Sequence, residues 1–249
     1  MRRSRLDQEL VRRGMFDSRT AAHTAIEAGV VLVNGAVADK PSRQVSTADA
    51  IVITERARYV GRGGEKLEAA FEHFTIVVAG RDALDVGSST GGFTDCLLQY
   101  GASSVVAIDV GHNQLHERLR KDPRVKSHEG LHIKDASTAV VGGPFSLIVV
   151  DLSFISLKSV AHYIIGLAAS NADLVLLVKP QFEAGRTEVS KGQGIIRDEE
   201  IRQRTLAEVT ECYVAKGFTM EGVIDCPVPG ANGNVEFLLW LRAGERSGS

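Results

Sequence analysis

The 249-residue chain has only three cysteines, Cys96, Cys212 and Cys226, and no C-x-x-C pair. They are too scattered for a disulfide framework, so the thiols are expected to be reduced and the chain cytoplasmic. The start, Met1-Arg2-Arg3-Ser4-Arg5-Leu6-Asp7, has no apolar core, and no secretory signal is expected. Long hydrophobic runs are missing too. Charge interrupts every apolar stretch within about ten residues, against the ~20 that a spanning helix needs, so no stable membrane association is expected. His112, His128 and His132 form no coherent ligand set, and no metal is expected.

Net charge is only −2, but its distribution is uneven. Residues 1–62 hold 11 Lys+Arg against 7 Asp+Glu, and the remainder holds 18 against 24. A basic N-terminal module on an acidic body points to nucleic-acid contact by that module. The length suits one large domain or two smaller ones, with enough chain to bury a substantial core.

The most informative segment is Leu84-Asp85-Val86-Gly87-Ser88-Ser89-Thr90-Gly91-Gly92-Phe93-Thr94, followed by the apolar run Val105-Val106-Ala107-Ile108-Asp109. It reads as strand, glycine-rich turn, helix, strand, acid, which is how an α/β domain holds a nucleotide-like cofactor. Glycine lets the backbone approach the ligand, the helix N-terminus offers free N–H groups, and the acid can bind ribose hydroxyls. A dinucleotide turn needs G-x-G-x-x-G, and here its middle glycine is Ser89. Asp85 also disfavours a doubly anionic pyrophosphate. It suits a zwitterionic group such as the amino-acid end of S-adenosylmethionine.

The first quarter of the chain patterns as a compact α+β unit. Leu6, Leu10 and Val11 have helical spacing up to Gly14. Ser18 can cap a second helix through Ala28, with Ala21, Ala22, Ala25 and Ile26 inward and Gly29 as its stop. Asn34-Gly35 between apolar runs is a two-residue hairpin signal, and Asp49 to Ile53 offers another strand. The unit resembles the S4-like RNA-binding domain in Arg5-Leu6-Asp7, Ser18-Arg19-x-x-Ala22, Ile26-x-x-Gly29-x-Val31-x-Val33-Asn34-Gly35 and Lys40-Pro41. Arg3, Arg5, Arg19 and Lys40 are expected on RNA phosphates, each able to release a counterion. The unit offers no aromatic platform, which suggests recognition of folded RNA by shape. We place it at residues 1–58, followed by an interdomain linker at 59–64, a second domain at 65–243 and a polar tail at 244–249.

The body alternates strand and helix. Strands are expected at Ser146–Asp151, Asp173–Lys179, Phe218–Asp225 and Val235–Leu241, and helices at about 157–169 and 198–216, implying a mainly parallel sheet. Ligands of such sheets bind at the carboxyl ends of strands, where Asp85, Asp109, Asp151 and Lys179 all fall. If the final strand runs antiparallel, Glu236 at its start joins the same edge, and Lys66 enters from the helix after the linker. Two lysines and two acids then converge. Such a set suits methyl transfer to a ribose hydroxyl, where a lysine takes the proton or steadies the developing alkoxide and in-line alignment is mainly a positioning problem. Taken singly, Lys66–Glu236 and Asp151–Lys179 read equally as ordinary ion pairs.

Nearly the whole chain resembles the TlyA family, also labelled haemolysin A, with an FtsJ/RrmJ-like methyltransferase domain. The resemblance lies in Tyr59-Val60-Gly61-Arg62-Gly63-Gly64-Glu65-Lys66-Leu67, the Asp85-to-Asp95 turn, Asp109-Val110-Gly111, Asp151-Leu152-Ser153-Phe154-Ile155-Ser156, Val178-Lys179-Pro180-Gln181-Phe182-Glu183, and Gly233-Asn234-Val235-Glu236 through Leu241. It implies a Rossmann-like S-adenosylmethionine-dependent methyltransferase domain, with a mainly parallel seven-stranded sheet whose last strand is antiparallel. It further implies 2′-O-methylation of cytidines in ribosomal RNA. Ribosomal RNA and ribosomal subunits are the expected partners, and a monomer is expected. The family's Lys-Asp-Lys-Glu tetrad maps onto Lys66, Asp151, Lys179 and Glu236. Cofactor contacts are expected from Asp85, Gly87, Ser88, Ser89, Thr90, Gly91, Gly92, Phe93, Thr94, Asp109, Val110 and Asp151. Two stretches on the adenosine side, Gly111-His112-Asn113-Gln114-Leu115 and Glu129-Gly130-Leu131-His132, depart from the family pattern. The competing readings are a membrane-active haemolysin, which lacks a spanning segment, and a non-catalytic RNA-binding factor, against which the intact tetrad argues.

Overall fold

The structure is a computed structural model, and it describes residues 3–38, 40–54 and 58–244. Residues 55–57, at the end of the expected first domain, and 245–249 of the expected tail lie outside the described residues. The chain divides into two compact units, Met1–Val60 and Gly61–Ser249.

In the first unit, helices Leu6–Arg12 and Arg19–Glu27 carry Leu6, Leu10, Ala22 and Ile26 into a small core. Ser18 Oγ accepts from the Ala21 N–H at 3.1 Å, satisfying one free donor of the second helix. Ala21 itself is exposed, contrary to expectation. The buried stripe runs through Ala22 and Ile26, four residues apart, and Ala21 lies off that face. Strand Val31–Val33 is central, paired antiparallel with Ala36–Val37 and with Ile51–Ile53. The hairpin turn has Asn34 at φ 54° and Gly35 at φ 80°, the left-handed pair that a two-residue turn demands. The third strand begins at Ile51, later than expected, because Asp49 is taken up in a turn. Its carboxylate accepts from the Ser46 N–H at 2.6 Å and from Asn34 Nδ2 at 2.9 Å.

The second unit holds a seven-stranded sheet. Its strands are β1 (Asp82–Val86), β2 (Ser104–Asp109), β3 (Val125–Glu129), β4 (Phe145–Val150), β5 (Ala168–Val178), β6 (Phe218–Asp225) and β7 (Phe237–Ala243). Their order is β3-β2-β1-β4-β5-β7-β6, with β7 antiparallel to both neighbours and β1 to β5 mutually parallel. The main helices are α1 (Gly63–His73), α2 (Gly92–Gln99), α3 (Leu157–Gly166), α4 (Pro180–Glu183), α5 (Arg186–Lys191) and α6 (Glu199–Val214). Leu84, Ile148, Val150, Leu174, Leu176 and Leu239 are completely buried in the sheet, as continuous apolar strands covered on both faces should be. Gly63 and Gly64, expected in the linker, form the first turn of α1. A Cβ on Gly92 would lie 2.8 Å from the Gly64 nitrogen, so the starts of α1 and α2 meet backbone to backbone.

This topology positions the site. The parallel strands end on one edge, and β7, running the other way, begins there. Residues placed just after β4 and β5 and just before β7 therefore become neighbours although they are far apart in sequence.

Candidate active site

The glycine turn leaves β1 at Gly87, where φ is 90°. A Cβ there would stand 2.3 Å from the Asp151 carbonyl oxygen, so both the backbone angle and the space demand glycine. Two acids organise the surrounding loops. Asp109 accepts from the Ser89 N–H at 2.8 Å and from the Gly111 N–H at 2.7 Å, tying the turn after β1 to the turn after β2. Glu129 accepts from the Gln114 and Leu115 N–H groups at 2.8 and 3.2 Å, and these bonds hold its carboxyl below the usual range.

Between these loops lies a cavity of about 490 Å³. Of the residues expected to hold the cofactor, Gly87, Ser89, Asp109, Val110 and Asp151 line it. Ser88, Gly91, Gly92, Phe93 and Thr94 are packed away from solvent, and Thr90 is exposed. Gln114, Leu131, His132, Ile133 and Leu152 also line the cavity and had no assigned role in the sequence. Gln114, Leu131 and His132 fall in the two stretches that depart from the family pattern, which was the available signal.

Asp85 is fully buried, accepts from Thr94 Oγ1 at 2.6 Å and is not on the cavity wall. Its Oδ1 is buried without a hydrogen-bond partner. Burial pushes its carboxyl up to about 7, opposed by the Thr94 bond and reinforced by the charges of Asp151 and Asp109. The acids that reach the cavity are Asp109 and Asp151, while Asp85 sits behind the turn.

The four tetrad residues form two close pairs. Lys66 Nζ on α1 donates to Glu236 Oε2 at 2.6 Å, and both side chains are buried. Lys179 Nζ stands 2.5 Å from Asp151 Oδ1 and donates to Ser153 Oγ at 3.0 Å. Register brings the pairs together. Val178 faces Phe237 across β5–β7, and Leu176 faces Val150 across β5–β4. Glu236 and Asp151 thus flank the end of β5 on either side, each about 5 Å away at strand spacing, and Lys179 emerges between them. Asp151 belongs to both the cavity wall and the amine pair.

Gln181, in α4, was not anticipated. Its Nε2 donates to Glu236 Oε1 at 3.3 Å, so both Glu236 oxygens are engaged. Gly230 is fixed against the same carboxylate, because a Cβ there would lie 2.2 Å from Oε1. A second cavity, of about 660 Å³, shares Phe154 and Ile155 with the first and is also lined by Gln181 and Phe182.

In the first unit, Arg5 and Arg19 converge on buried Asp7, at 3.1 and 2.8 Å. Chiefly through Arg5, they hold its carboxyl down at about 2. Both guanidiniums keep about half of their surface in solvent, and Arg3 and Lys40 are exposed. Arg5, Asp7, Arg19, Thr20 and His23 line one open depression.

Fold and site define a class: a Rossmann-like methyltransferase domain with a cavity beside paired lysines and acids, preceded by a small α+β module. Residues 59–243 match the FtsJ-like methyltransferase family and residues 4–51 the S4 domain. The 16S/23S rRNA (cytidine-2′-O)-methyltransferase TlyA of Mycobacterium tuberculosis is 47% identical, with 97% of this chain and 90% of that protein covered. Hemolysin A of Brachyspira hyodysenteriae is 43% identical, with coverages of 94% and 98%. A solved candidate hemolysin from Streptococcus thermophilus superposes with a TM-score of 0.75 at 39% identity, over 98% of this chain and 90% of that one. The chain belongs to the TlyA family of FtsJ-like methyltransferases. Among the described residues, no helix is long and apolar enough to cross a membrane.

Proposed function

We propose that this chain transfers a methyl group from S-adenosylmethionine to the ribose 2′-hydroxyl of cytidine in ribosomal RNA, docked by its N-terminal unit. The observation that carries the reading is Asp151, which lines the cofactor cavity and holds the Lys179 amine 2.5 Å away. A chemical centre is thereby joined to a cofactor site through one side chain.

The residues present fit the cofactor. Gly87, at φ 90°, bends the turn so that its backbone lines the cavity, the cavity volume is within the range of small-molecule sites, and each Asp109 oxygen keeps a lone pair for a ribose hydroxyl beside its backbone bond. Gly87, Ser89, Asp109, Val110 and Asp151 would hold it. Bound there, S-adenosylmethionine supplies an electrophilic methyl on a sulfonium centre.

The chain's own residues prepare the nucleophile. Lys179 Nζ is fixed by Asp151 and Ser153, so it is a preorganised donor to the oxygen on which charge develops, and the hydroxyl proton, released as the oxygen takes the methyl, passes through the Lys179–Asp151 pair to water. Lys66 and Glu236 neutralise one another beside it, and Gln181 and Gly230 restrict the Glu236 rotamer. Arg5 and Arg19, splayed from a common carboxylate, present guanidinium edges to phosphate. An rRNA substrate also places the enzyme in the cytoplasm.

Tritiated-methyl transfer to intact ribosomal subunits and to free rRNA, followed by mapping of the labelled ribose, tests this. Label at a cytidine 2′-oxygen is expected. Label on a base, or none on any rRNA, would refute it.

A further inference from the structure

We propose that Gln181 selects cytosine, through its side-chain carbonyl accepting a hydrogen bond from the exocyclic amine of the target base. The inference rests on the reading of the site as a cytidine 2′-O-methyltransferase and names the group that chooses the base.

The amide of Gln181 is oriented by charge. Glu236 needs a donor at Oε1, and Gln181 Nε2 provides it at 3.3 Å, while Lys66 occupies Oε2. Reversing the amide would set its carbonyl oxygen against a carboxylate. The carbonyl oxygen, Oε1, is therefore turned away from Glu236. It is buried and has no hydrogen-bond partner, in a residue only 8% exposed. A buried acceptor left unpaired is unfavourable, and because Gln181 lines the second cavity, a donor entering there can pair with it after a small side-chain shift.

The cavity it lines suits a nucleobase. The Phe154 and Phe182 rings, with centroids 5.0 Å apart, supply apolar wall, and Phe154 is 90% exposed. Ser156 and Asn234 also line it but are already engaged. Ser156 Oγ donates to Glu183 and accepts from the Lys158 N–H, and Asn234 binds the Ile196 N–H and the Gly194 carbonyl. The Lys179 amine lies 5.8 Å from the centre of the Phe182 ring, so this wall is within reach of the base of a ribose held at Lys179. Cytosine presents an N–H donor at position 4, where uracil presents a carbonyl. A fixed acceptor pairs with the first and repels the second. The tetrad carboxylate thus has a further task, since it aims the amide that reads the base.

The test crosses protein and substrate. Subunits are reconstituted with the mapped cytidine unchanged, replaced by uridine, or replaced by a pyrimidin-2-one riboside that lacks the amine. The ratio kcat/KM is then measured for the unaltered enzyme and for Gln181→Met. The unaltered enzyme is expected to lose roughly tenfold or more on either replacement. Gln181→Met should lose a similar factor on cytidine and treat the three bases alike, with unchanged S-adenosylmethionine affinity. If Gln181 only steadies Glu236, the variant will slow on all three while keeping the original cytidine-to-uridine ratio, and the proposal falls. Equal rates for the unaltered enzyme on cytidine and the pyrimidinone would overturn it without any variant. Methylation of no rRNA by the unaltered enzyme would remove the functional reading as well, whereas cytidine methylation with an unchanged ratio would remove this inference alone.

Discussion

Lys66 and Glu236 stand 170 residues apart in sequence, yet Nζ and Oε2 meet at 2.6 Å in the interior. Removing one partner of a buried pair strands the other charge, whereas replacing both by apolar groups relieves it. Lys66→Met or Glu236→Leu alone should each destabilise the protein by about 3–5 kcal/mol, and the double variant by much less than their sum. Urea unfolding of the four proteins checks this. Additive losses would mean that the pair is not coupled.

Lys179→Ala removes the amine but leaves Asp151 at a partly exposed position, so the fold should survive. Methyl transfer should fall by roughly 10²–10⁴, the usual range for a general acid–base or charge-stabilising group. RNA affinity and S-adenosylmethionine affinity should hold. Single-turnover methylation beside a binding titration separates these, and near-normal turnover would remove Lys179 from the chemistry.

Asp85 gives the enzyme a pH signature. Its folded-state carboxyl lies near 7, above its ordinary value, so between about pH 4 and 7 the folded protein holds a proton that the unfolded chain has lost. Its contribution to stability is therefore complete at low pH and declines as pH rises through that window, by at most about 1.4 kcal/mol per pH unit. Asp85→Asn keeps an acceptor for Thr94 and cannot ionise. Unfolding free energies of the two proteins, compared from pH 5 to 8, should diverge up to about 7 and run parallel above it. Parallel curves throughout would show that Asp85 is ionised in the fold.

Arg3 and Arg19 are exposed in the first unit, and Asp7 keeps Arg5 when Arg19 is removed. The Arg3→Ala/Arg19→Ala double variant should fold, bind RNA more weakly and show a salt dependence shallower by about two in log–log slope, one per lost phosphate contact. S-adenosylmethionine affinity should not change. RNA titrations at several salt concentrations decide it, and an unaltered slope would take these side chains off the phosphates.

Much of this was written locally. The glycine turn, the hairpin at Asn34-Gly35 and the continuous apolar strands depend on backbone angles and periodicity that neighbouring residues set. Asp109, Asp151 and Lys179 could be placed at strand ends from the same pattern. Where local reading slipped, a tertiary partner was responsible. Gly63 and Gly64 look like linker residues until α2 is seen to approach their backbone. The enclosure of Asp85 by Thr94 and the surrounding strands was likewise not legible locally.

The sequence by itself determined which residue types stand at the ends of which strands, because alternation and turn chemistry act over a few residues. Only the tertiary structure decided the register that sets Phe237 opposite Val178, and hence that Glu236 and Asp151 flank Lys179. It alone turned the Gln181 amide toward Glu236 and left its carbonyl unpaired beside a cavity. Sheet register and side-chain orientation answer to packing across the whole domain, and no short window of sequence contains that information.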